Sequence, residues 1–200
     1  MFEKKYRIAG IAALSLAGAL TFTGCTINSG GTNSDSNGMM NNSMMDNNQS
    51  ASDFSGTDIM FAQMMIPHHQ QAVDMSTLAE THTTKPEVLA LAKQIKDAQA
   101  PEIKQMTTWI KSSGAGMEMG HDMGMGGMLS DEQMTALDNA QGADFDKLYL
   151  EGMIAHHEGA IEMAQMITGS TNAEAKELGG NIVTSQTAEI EKMKQMLAAL

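Results

Sequence analysis

The sequence MIPHHQQAVDM at residues 65–75 returns in the same frame as MIAHHEGAIEM at residues 153–163. Each copy holds two adjacent histidines between flanking methionines. Four of the six histidines of the chain lie in these pairs: His68, His69, His156 and His157. At about 100° per residue, each pair shares one helix face with a central alanine, Ala72 or Ala160. The spacing therefore predicts two equivalent helices whose histidine pairs flank a seam of the core.

A second repeat follows each histidine motif. The sequence LAKQIKDAQAPEIKQMTTWI at residues 91–110 aligns with LGGNIVTSQTAEIEKMKQML at residues 178–197, at nearly the same distance from the histidines. The duplicated unit is therefore a pair of helices, and no stretch shows the sustained alternation that is typical of a strand. Two antiparallel hairpins pack most simply as a four-helix bundle with pseudo-twofold symmetry, so the predicted class is all-α.

Start signals divide this part of the chain into four helical segments. Thr84 and Glu87 have the spacing of a capping box, and Pro86 suits an early helical position. The third segment has a candidate break at Gly142. The segments are expected at residues 57–81, 84–112, 131–167 and 171–200. The predicted bundle thus spans residues 57–200 and consists of a first hairpin at 57–112, a loop at 113–130 and a second hairpin at 131–200.

The helices that follow the histidine helices carry polar residues within their apolar stripes. These residues are Gln99, Glu102, Gln186 and Glu189. A carboxylate in such a stripe is costly unless a cation, a hydrogen-bond donor or a metal pairs with it. Facing histidines would supply that partner, so the four residues are predicted to hold the histidines through hydrogen bonds without binding the metal themselves. Alternatively, they only bridge helices and fix their register.

The methionines that bracket the histidine pairs complete a candidate set of metal ligands. They are Met65, Met75, Met153 and Met163. Thioether sulfur is a soft ligand suited to Cu(I), whereas imidazole also suits Cu(II). Zinc would be expected to use cysteine or histidine rather than methionine. The alternative is that the histidines and the methionine stripe serve packing alone.

The segment GMEMGHDMGMGGMLS at residues 116–130 is a glycine-rich loop with no helical seam to fill. Thioethers at alternating positions of such a loop have no packing role, so they are candidate Cu(I) ligands. The alternative is a linker of biased composition. The six candidate ligands of the loop are Met117, Met119, His121, Met123, Met125 and Met128.

Replacing these six loop residues by alanine is expected to lower the number of copper ions bound per chain and to leave the helical content unchanged. The reason is that the loop ligands are separate from those of the bundle. Copper titration followed by elemental analysis, together with circular dichroism, measures both quantities. An unchanged stoichiometry would exclude a role for the loop in binding.

Residues 1–24 are predicted to be a bacterial lipoprotein signal peptide, with a basic start and a short apolar run that is too short to span a bilayer. The run ends before Cys25, the one cysteine of the chain, which is the expected lipidation site; an internal disulfide is therefore impossible. Phe22 stands where lipoprotein signals most often have leucine, and a plain secretory signal is the alternative. Residues 25–56, rich in Asn, Ser and Met, are expected to form a flexible tether.

The chain is acidic, with 12 Lys and Arg against 24 Asp and Glu and a formal net charge of −12. Arg7, within the signal, is its single arginine. Because arginine is the residue that binds phosphate with two parallel hydrogen bonds, nucleic-acid binding is not expected. An acidic surface attracts cations instead.

The duplicated motif M-I-x-H-H-x-x-A-[VI]-x-M and the closing Q-x-x-E-I-x-x-M of each unit resemble the domain-of-unknown-function 305 (DUF305) family, over about residues 57–200. The resemblance implies a ferritin-like four-helix bundle, usually exported or lipid-anchored, with copper binding in some members. Carried onto this sequence, it points to the two histidine pairs and the methionines that bracket them. It does not fix which of them bind metal.

These features favour an extracytoplasmic copper-binding protein, without enzymatic activity, that sequesters or transports copper and supports copper tolerance. A ferritin-like di-iron oxidase is an alternative, but such a site needs Glu-x-x-His on two helices, and the one instance, Glu118 to His121, lies in the loop. A structural lipoprotein without metal is the other alternative. The expected partners are metal ions and membrane lipid; the sequence does not identify a copper-handling protein partner.

Overall fold

The computed structural model describes residues 54–117 and 126–200. These residues form five helices: α1 (Gly56–His82), α2 (Pro86–Ser113), α3 (Asp131–Asn139), α4 (Gly142–Ala164) and α5 (Ala173–Ala198). No strand occurs within the two ranges. None of the helices there is long and apolar enough to cross a membrane. The all-α prediction is confirmed.

Short polar side chains begin three of the helices. The Ser55 hydroxyl accepts from the Asp58 N–H at 3.1 Å, and the Asp58 carboxylate accepts from the Ser55 N–H at 2.8 Å, which completes a capping box for α1. Ser130 and Gln133 form the same box at α3. The Asn172 side chain caps α5 by accepting from two backbone N–H groups. Each cap satisfies amide donors that a helix leaves free in its first turn.

The capping box expected at Thr84 and Glu87 does not form. Lys85 is the cap residue of α2, without a side-chain hydrogen bond, and the helix begins at Pro86. A residue that precedes proline is driven out of the helical region, and Lys85 is accordingly extended. Because the helix starts after Lys85, Glu87 is its second residue, one position too early for a capping box.

The candidate break at Gly142 is confirmed, because the third predicted segment forms two helices. The helical run is interrupted at residues 140–141, between α3 and α4, and Gly142 opens α4 with a φ of 58°. This left-handed conformation favours glycine. The segment also ends earlier than expected, because α4 stops at Ala164 and a turn follows. Helix α1, by contrast, continues through Pro67, and α2 continues through Pro101.

The four long helices pack as two hairpins. Helix α1 packs against α2, α4 packs against α5, and α1 also packs against α4, while the short α3 touches α1 and α4. The predicted bundle of duplicated hairpins is therefore the observed architecture. Residues 59–65 of α1 share a cluster with residues 160–164 of α4, and residues 72–79 share one with residues 145–153. Helices α1 and α4 therefore run antiparallel.

The core consists of two separate apolar clusters, one towards each end of the bundle. The first contains Phe61, Trp109 and Ile182, and the second contains Leu91, Phe145 and Ile190. Every long helix contributes to both clusters. The residues between the two contributions lie at the middle of the bundle, which is where the repeated motifs place their polar groups.

Candidate metal centre

A polar layer separates the two apolar clusters. Each long helix contributes two residues to it, and seven of the eight are buried while Glu102 is half-buried. The layer consists of His68 and His69 from α1, Gln99 and Glu102 from α2, His156 and His157 from α4, and Gln186 and Glu189 from α5. All eight are residues that the repeats predicted for the site. The fold therefore brings the histidines and their predicted supporting residues to one level of the bundle.

One histidine of each pair bonds to the carboxylate of the neighbouring helix. The Nε2–H of His69 donates to Glu102 Oε2 at 2.7 Å, and the Nε2–H of His157 donates to Glu189 Oε2 at 2.8 Å. The Glu102 side chain keeps 19% of its surface exposed, against 8% for Glu189. Glu189 also accepts from Gln94 Nε2 at 2.8 Å. The expectation that facing histidines pair with these carboxylates is confirmed.

The other histidine of each pair bonds to a backbone carbonyl. The Nε2–H of His156 donates to the carbonyl of His68 at 2.8 Å, and the Nε2–H of His68 donates to the carbonyl of Gly126 at 3.1 Å. The two rings lie against each other, with centroids 3.8 Å apart. This contact between α1 and α4 is where the pseudo-symmetry of the repeats breaks, since the two equivalent histidines have different acceptors.

The second nitrogen of all four rings is buried and has no hydrogen-bond partner. A carbonyl or carboxylate oxygen accepts, so each ring directs a proton on Nε2 at its oxygen. The Nδ1 atoms consequently remain inside the bundle without a partner. Imidazoles that bind metals show this arrangement, in which one nitrogen donates to an oxygen and the other faces the ion. The residues present therefore fit a soft or borderline metal ion.

Burial keeps the central pair of rings neutral. It lowers the pKa of His68 from 6.5 to about 4, although the hydrogen bond to Gly126 opposes the shift and the neighbouring histidines add to it. Burial, together with the charge that His68 would carry, lowers the pKa of His156 to about 2. Both rings therefore keep their Nδ1 lone pairs at neutral pH, where a protonated ring would have none.

The four bracketing methionines lie on both sides of the polar layer. Met65 and Met163 belong to the first apolar cluster, and Met75 and Met153 belong to the second. All four are buried. The antiparallel crossing of α1 and α4 explains this pairing, because the first methionine of one motif and the last methionine of the other lie towards the same end of the bundle. The structure thus brings these residues together in two pairs rather than in one set.

Two amides of the layer also have buried atoms without partners. Both the nitrogen and the oxygen of the Gln99 side chain are unpaired, as is the oxygen of Gln186. A buried polar group without a partner costs about 1–3 kcal/mol. These amide atoms are therefore available to bind a ligand of the layer.

Two of the six predicted ligands of the loop, Met117 and Met128, lie within the described residues. Met119, His121, Met123 and Met125 lie outside the described residues, as do Cys25, the signal and almost all of the tether. Met117 is 46% exposed, and Met128 is half-buried. Within residues 54–117 and 126–200, no three side chains of His, Cys, Asp or Glu converge on a point that a metal could occupy. A site in the layer would therefore combine imidazoles with thioether or amide groups.

Three residues around the site were not predicted from the sequence. Gly126 accepts from His68, Gly159 packs on Gly126, and Gln71 makes two hydrogen bonds to the backbone of Leu129. One signal could have indicated them. Gln71 and Gly159 occupy the same position of the two histidine motifs, yet one is a large amide and the other has no side chain.

The model of the family described as Domain of unknown function (DUF305) matches residues 58–197. The chain belongs to the DUF305 family. The match includes the polar layer and all four bracketing methionines, so the resemblance inferred from the motifs is confirmed.

Solved structures of DUF305 proteins share the fold. A DUF305 protein of Streptomyces coelicolor, named as a candidate secreted protein, is 33% identical, with a TM-score of 0.69 over 72% of this chain and 93% of that one. A protein named CopM in its Cu(II)-bound form is 38% identical, with a TM-score of 0.62 over 71% and 96%. Its Cu(I)-bound form gives 34% identity and a TM-score of 0.61 over 72% and 98%.

A curated relative matches over a much shorter stretch of the chain. The uncharacterized protein L153 of Acanthamoeba polyphaga mimivirus is 43% identical over 53 residues, which are 26% of this chain. The match spans only 35% of the length of that relative. It therefore adds only a partial similarity.

Proposed function

We propose that this protein binds copper outside the cytoplasm and serves its sequestration or transport, and thereby copper tolerance. The observation that carries the proposal is the set of four buried Nδ1 atoms, each on a ring whose Nε2 is held by an oxygen. Because burial keeps the rings of His68 and His156 neutral, those two can bind an ion through Nδ1 without losing a proton. CopM, with copper-bound forms and the same fold, supports the choice of metal.

The donor atoms favour copper over iron. The carboxylates nearest to the rings, Glu102 and Glu189, accept hydrogen bonds from the histidines. A di-iron site instead needs carboxylates as direct ligands, several of them bridging or adjacent to histidine. Neutral imidazoles with thioethers above and below suit Cu(I), and the imidazoles alone suit Cu(II). The di-iron alternative is therefore disfavoured, because both glutamates accept hydrogen bonds from histidines instead of facing a metal as ligands.

The proposed mechanism is capture rather than catalysis, and the protein is not proposed to be an enzyme. The histidines retain their Nε2 protons and present Nδ1, while Glu102 and Glu189 hold two of the rings in place. The carboxylates also raise the electron density on those rings, which strengthens their binding to a cation. The soft thioethers of the adjacent apolar clusters would favour the reduced ion.

The proposed location is the extracytoplasmic face of a membrane, with a lipid on Cys25 as the anchor and residues 25–56 as the tether. The lipoprotein-like signal of residues 1–24 supports export. The Streptomyces relative, named as a candidate secreted protein, agrees with it. Metal ions and membrane lipid are thus the proposed partners.

Elemental analysis of the protein purified from copper-supplemented cells tests the proposed function. We expect copper at one or more ions per chain and no stoichiometric iron. Optical spectra add a second reading, because an oxo-bridged di-iron centre absorbs visible light and a Cu(I) site of thioethers and imidazoles does not. Iron in place of copper would support the oxidase, and a metal-free protein would support the structural lipoprotein.

Replacing Met65 and Met163, or Met75 and Met153, by leucine is expected to weaken Cu(I) binding to the bundle by about tenfold per pair, equivalent to about 1.4 kcal/mol. Leucine keeps the apolar volume, so the free energy of unfolding should change by less than about 1.5 kcal/mol. Competition titration with a Cu(I) chelator measures the affinity, and urea unfolding measures the stability.

Leucine at Met64 and Met106 is the matched control. Both methionines are buried in the same cluster as Met65 but lie outside the bracketing positions. The control should keep the affinity of the parent protein. If all of these variants bind Cu(I) equally, the bracketing methionines are ordinary core residues.

A further inference from the structure

A short segment that re-enters the bundle after the loop is built into the histidine layer. The carbonyl of Gly126 accepts from His68 Nε2–H at 3.1 Å. Three residues later, the N–H of Leu129 donates to Gln71 Oε1 at 2.8 Å, and Gln71 Nε2 donates to the Leu129 carbonyl at 2.9 Å. Residues 126–129, called the anchor segment below, are thus bonded to α1 at both ends.

Two glycines allow the anchor segment to approach α4 closely. A Cβ atom on Gly159 would lie 1.9 Å from the Gly126 carbonyl oxygen, the same oxygen that accepts from His68. A Cβ atom on Gly127 would lie 2.3 Å from the carbonyl oxygen of Ala155, and the φ of Gly127 is 83°. Only glycine fits either position without displacing backbone. The position of the Gly126 carbonyl therefore depends on both glycines.

The two repeats have diverged where they meet the anchor segment. Gln71 and Gly159 are equivalent in the histidine motifs, and one grips Leu129 while the other makes room for Gly126. The equivalent histidines diverge with them, since His156 donates to a helix carbonyl and His68 donates to the anchor segment. His68 is the histidine of the layer whose acceptor comes from outside the four long helices.

We infer that the anchor segment positions His68 for metal binding, by fixing the proton on Nε2 so that Nδ1 is left free. Gly126, Gly127, Gly159 and Gln71 are positioning residues of the centre. The inference rests on the proposed function, since it concerns the same copper centre. It adds that the anchor segment, which follows the loop, completes this centre.

The physical reason is the choice between two neutral tautomers of imidazole. Without an acceptor at Nε2, a neutral ring can carry its proton on either nitrogen, and the form with the proton on Nδ1 cannot bind metal through that atom. The other three rings have acceptors within the helices, which are rigid. The acceptor of His68 is the Gly126 carbonyl, so its position depends on how firmly the anchor segment is held. Loss of such an outer hydrogen bond typically weakens metal binding by about 10–100-fold.

The test compares two glycines. Gly127→Ala should push the anchor segment off α4, whereas a Cβ on Gly180 of α5 meets nothing within 4 Å and leaves the anchor segment in place. Long-range ¹H–¹⁵N spectra of the metal-free proteins report which nitrogen of His68 is protonated. We expect Nε2–H in the parent protein and in Gly180→Ala, and a mixture of tautomers in Gly127→Ala. Cu(I) affinity at the bundle should fall about tenfold or more in Gly127→Ala only.

A second pair of variants keeps the inference testable if Gly127→Ala does not fold. Gln71→Ala removes both hydrogen bonds to Leu129 without adding bulk, and it should weaken Cu(I) binding in the same direction. Gln70→Ala is its control, because that neighbouring glutamine is exposed and donates to Asp74 on the surface of α1. Equal affinity in Gln71→Ala and Gln70→Ala would overturn the inference.

The tautomer readout separates this inference from the proposed function. A proton on Nδ1 of His68 in the metal-free parent protein would overturn the positioning role, whatever the protein binds. If Nε2–H is observed and lost in Gly127→Ala while the parent binds no copper, the proposed function fails and the hydrogen-bond role of the anchor segment stands. Equal tautomers and equal affinities in the two glycine variants would overturn the inference alone.

Discussion

Glutamine at His68, His69, His156 and His157 together is expected to abolish the stabilisation that copper gives to the folded bundle. The amide nitrogen of glutamine lies as many bonds from Cα as Nε2 of histidine, so it can still donate to the same oxygens. The Nδ1 lone pair is lost. A ligand that binds only the folded state adds about 2.7 kcal/mol at a hundredfold excess over its Kd. Melting curves with and without Cu(I) should therefore differ by roughly 5–10 °C in the parent protein and coincide in the variant.

His82→Gln is the matched control for this variant. His82 is half-buried at the end of α1, and its two ring nitrogens lie 2.7 Å from the Leu78 carbonyl and 2.8 Å from the Asp138 carbonyl. Because neither nitrogen is free, the control should keep the copper-dependent shift of the parent. A shift that persists in the quadruple variant would mean that the layer does not bind the metal.

Leucine at His69 and His157 separates binding from support of the fold. It removes the donors to Glu102 and Glu189 as well as the ligands. The metal-free protein should then lose about 1–3 kcal/mol for each carboxylate left without its donor. The glutamine variant should lose much less, since its amides replace the donors. Equal losses in the two metal-free variants would show that ring packing, rather than the hydrogen bonds, is what the histidines supply.

Acid is expected to destabilise the metal-free protein between pH 6.5 and about 4. The pKa of His68 is 6.5 when it is exposed and about 4 in the fold, so in this range the unfolded chain binds a proton that the folded chain does not. The free energy of unfolding therefore falls as the pH falls, by about 3 kcal/mol from His68 alone across the window. His156, with its pKa lowered to about 2, adds to the loss. Urea unfolding at a series of pH values measures it.

The quadruple glutamine variant is also the control for the acid experiment. It keeps every carboxylate of the chain but has no buried imidazole that must resist protonation. Its free energy of unfolding should fall less steeply than that of the parent between pH 6.5 and about 4. Parallel curves for the two proteins would assign the acid sensitivity to the carboxylates instead.

The sequence predicted the bundle and most of the layer because duplication supplied the information twice. A single histidine pair on an apolar face is ambiguous, whereas two pairs in register, each followed by Gln and Glu on a second helix, indicate a shared layer. That histidines pair with Glu102 and Glu189 followed from the cost of burying a carboxylate alone, whereas the structure shows that His69 and His157 are the ones that do so. Helix boundaries were less secure, as Lys85 shows at the start of α2.

The divergent parts of the repeats could not be predicted in the same way. The contact between Gly126 and His68 joins residues far apart in the chain, and no periodic pattern encodes it. The acceptor of His156 is a backbone carbonyl, which every residue possesses, so composition cannot single it out. The division of the methionines into two pairs depends on the antiparallel crossing of α1 and α4, which helical periodicity within one helix does not reveal.

The most direct test of whether the histidine layer is the copper centre is a long-range ¹H–¹⁵N spectrum of the imidazoles during anaerobic titration with Cu(I). This ion is diamagnetic and leaves the signals observable. Binding through the layer should shift Nδ1 resonances of the layer histidines as copper is added, while their Nε2 atoms keep their protons. The signals of His82 should not change. If Cu(I) binds and the Nδ1 resonances of His68, His69, His156 and His157 all stay in place, the histidine layer is not the copper centre.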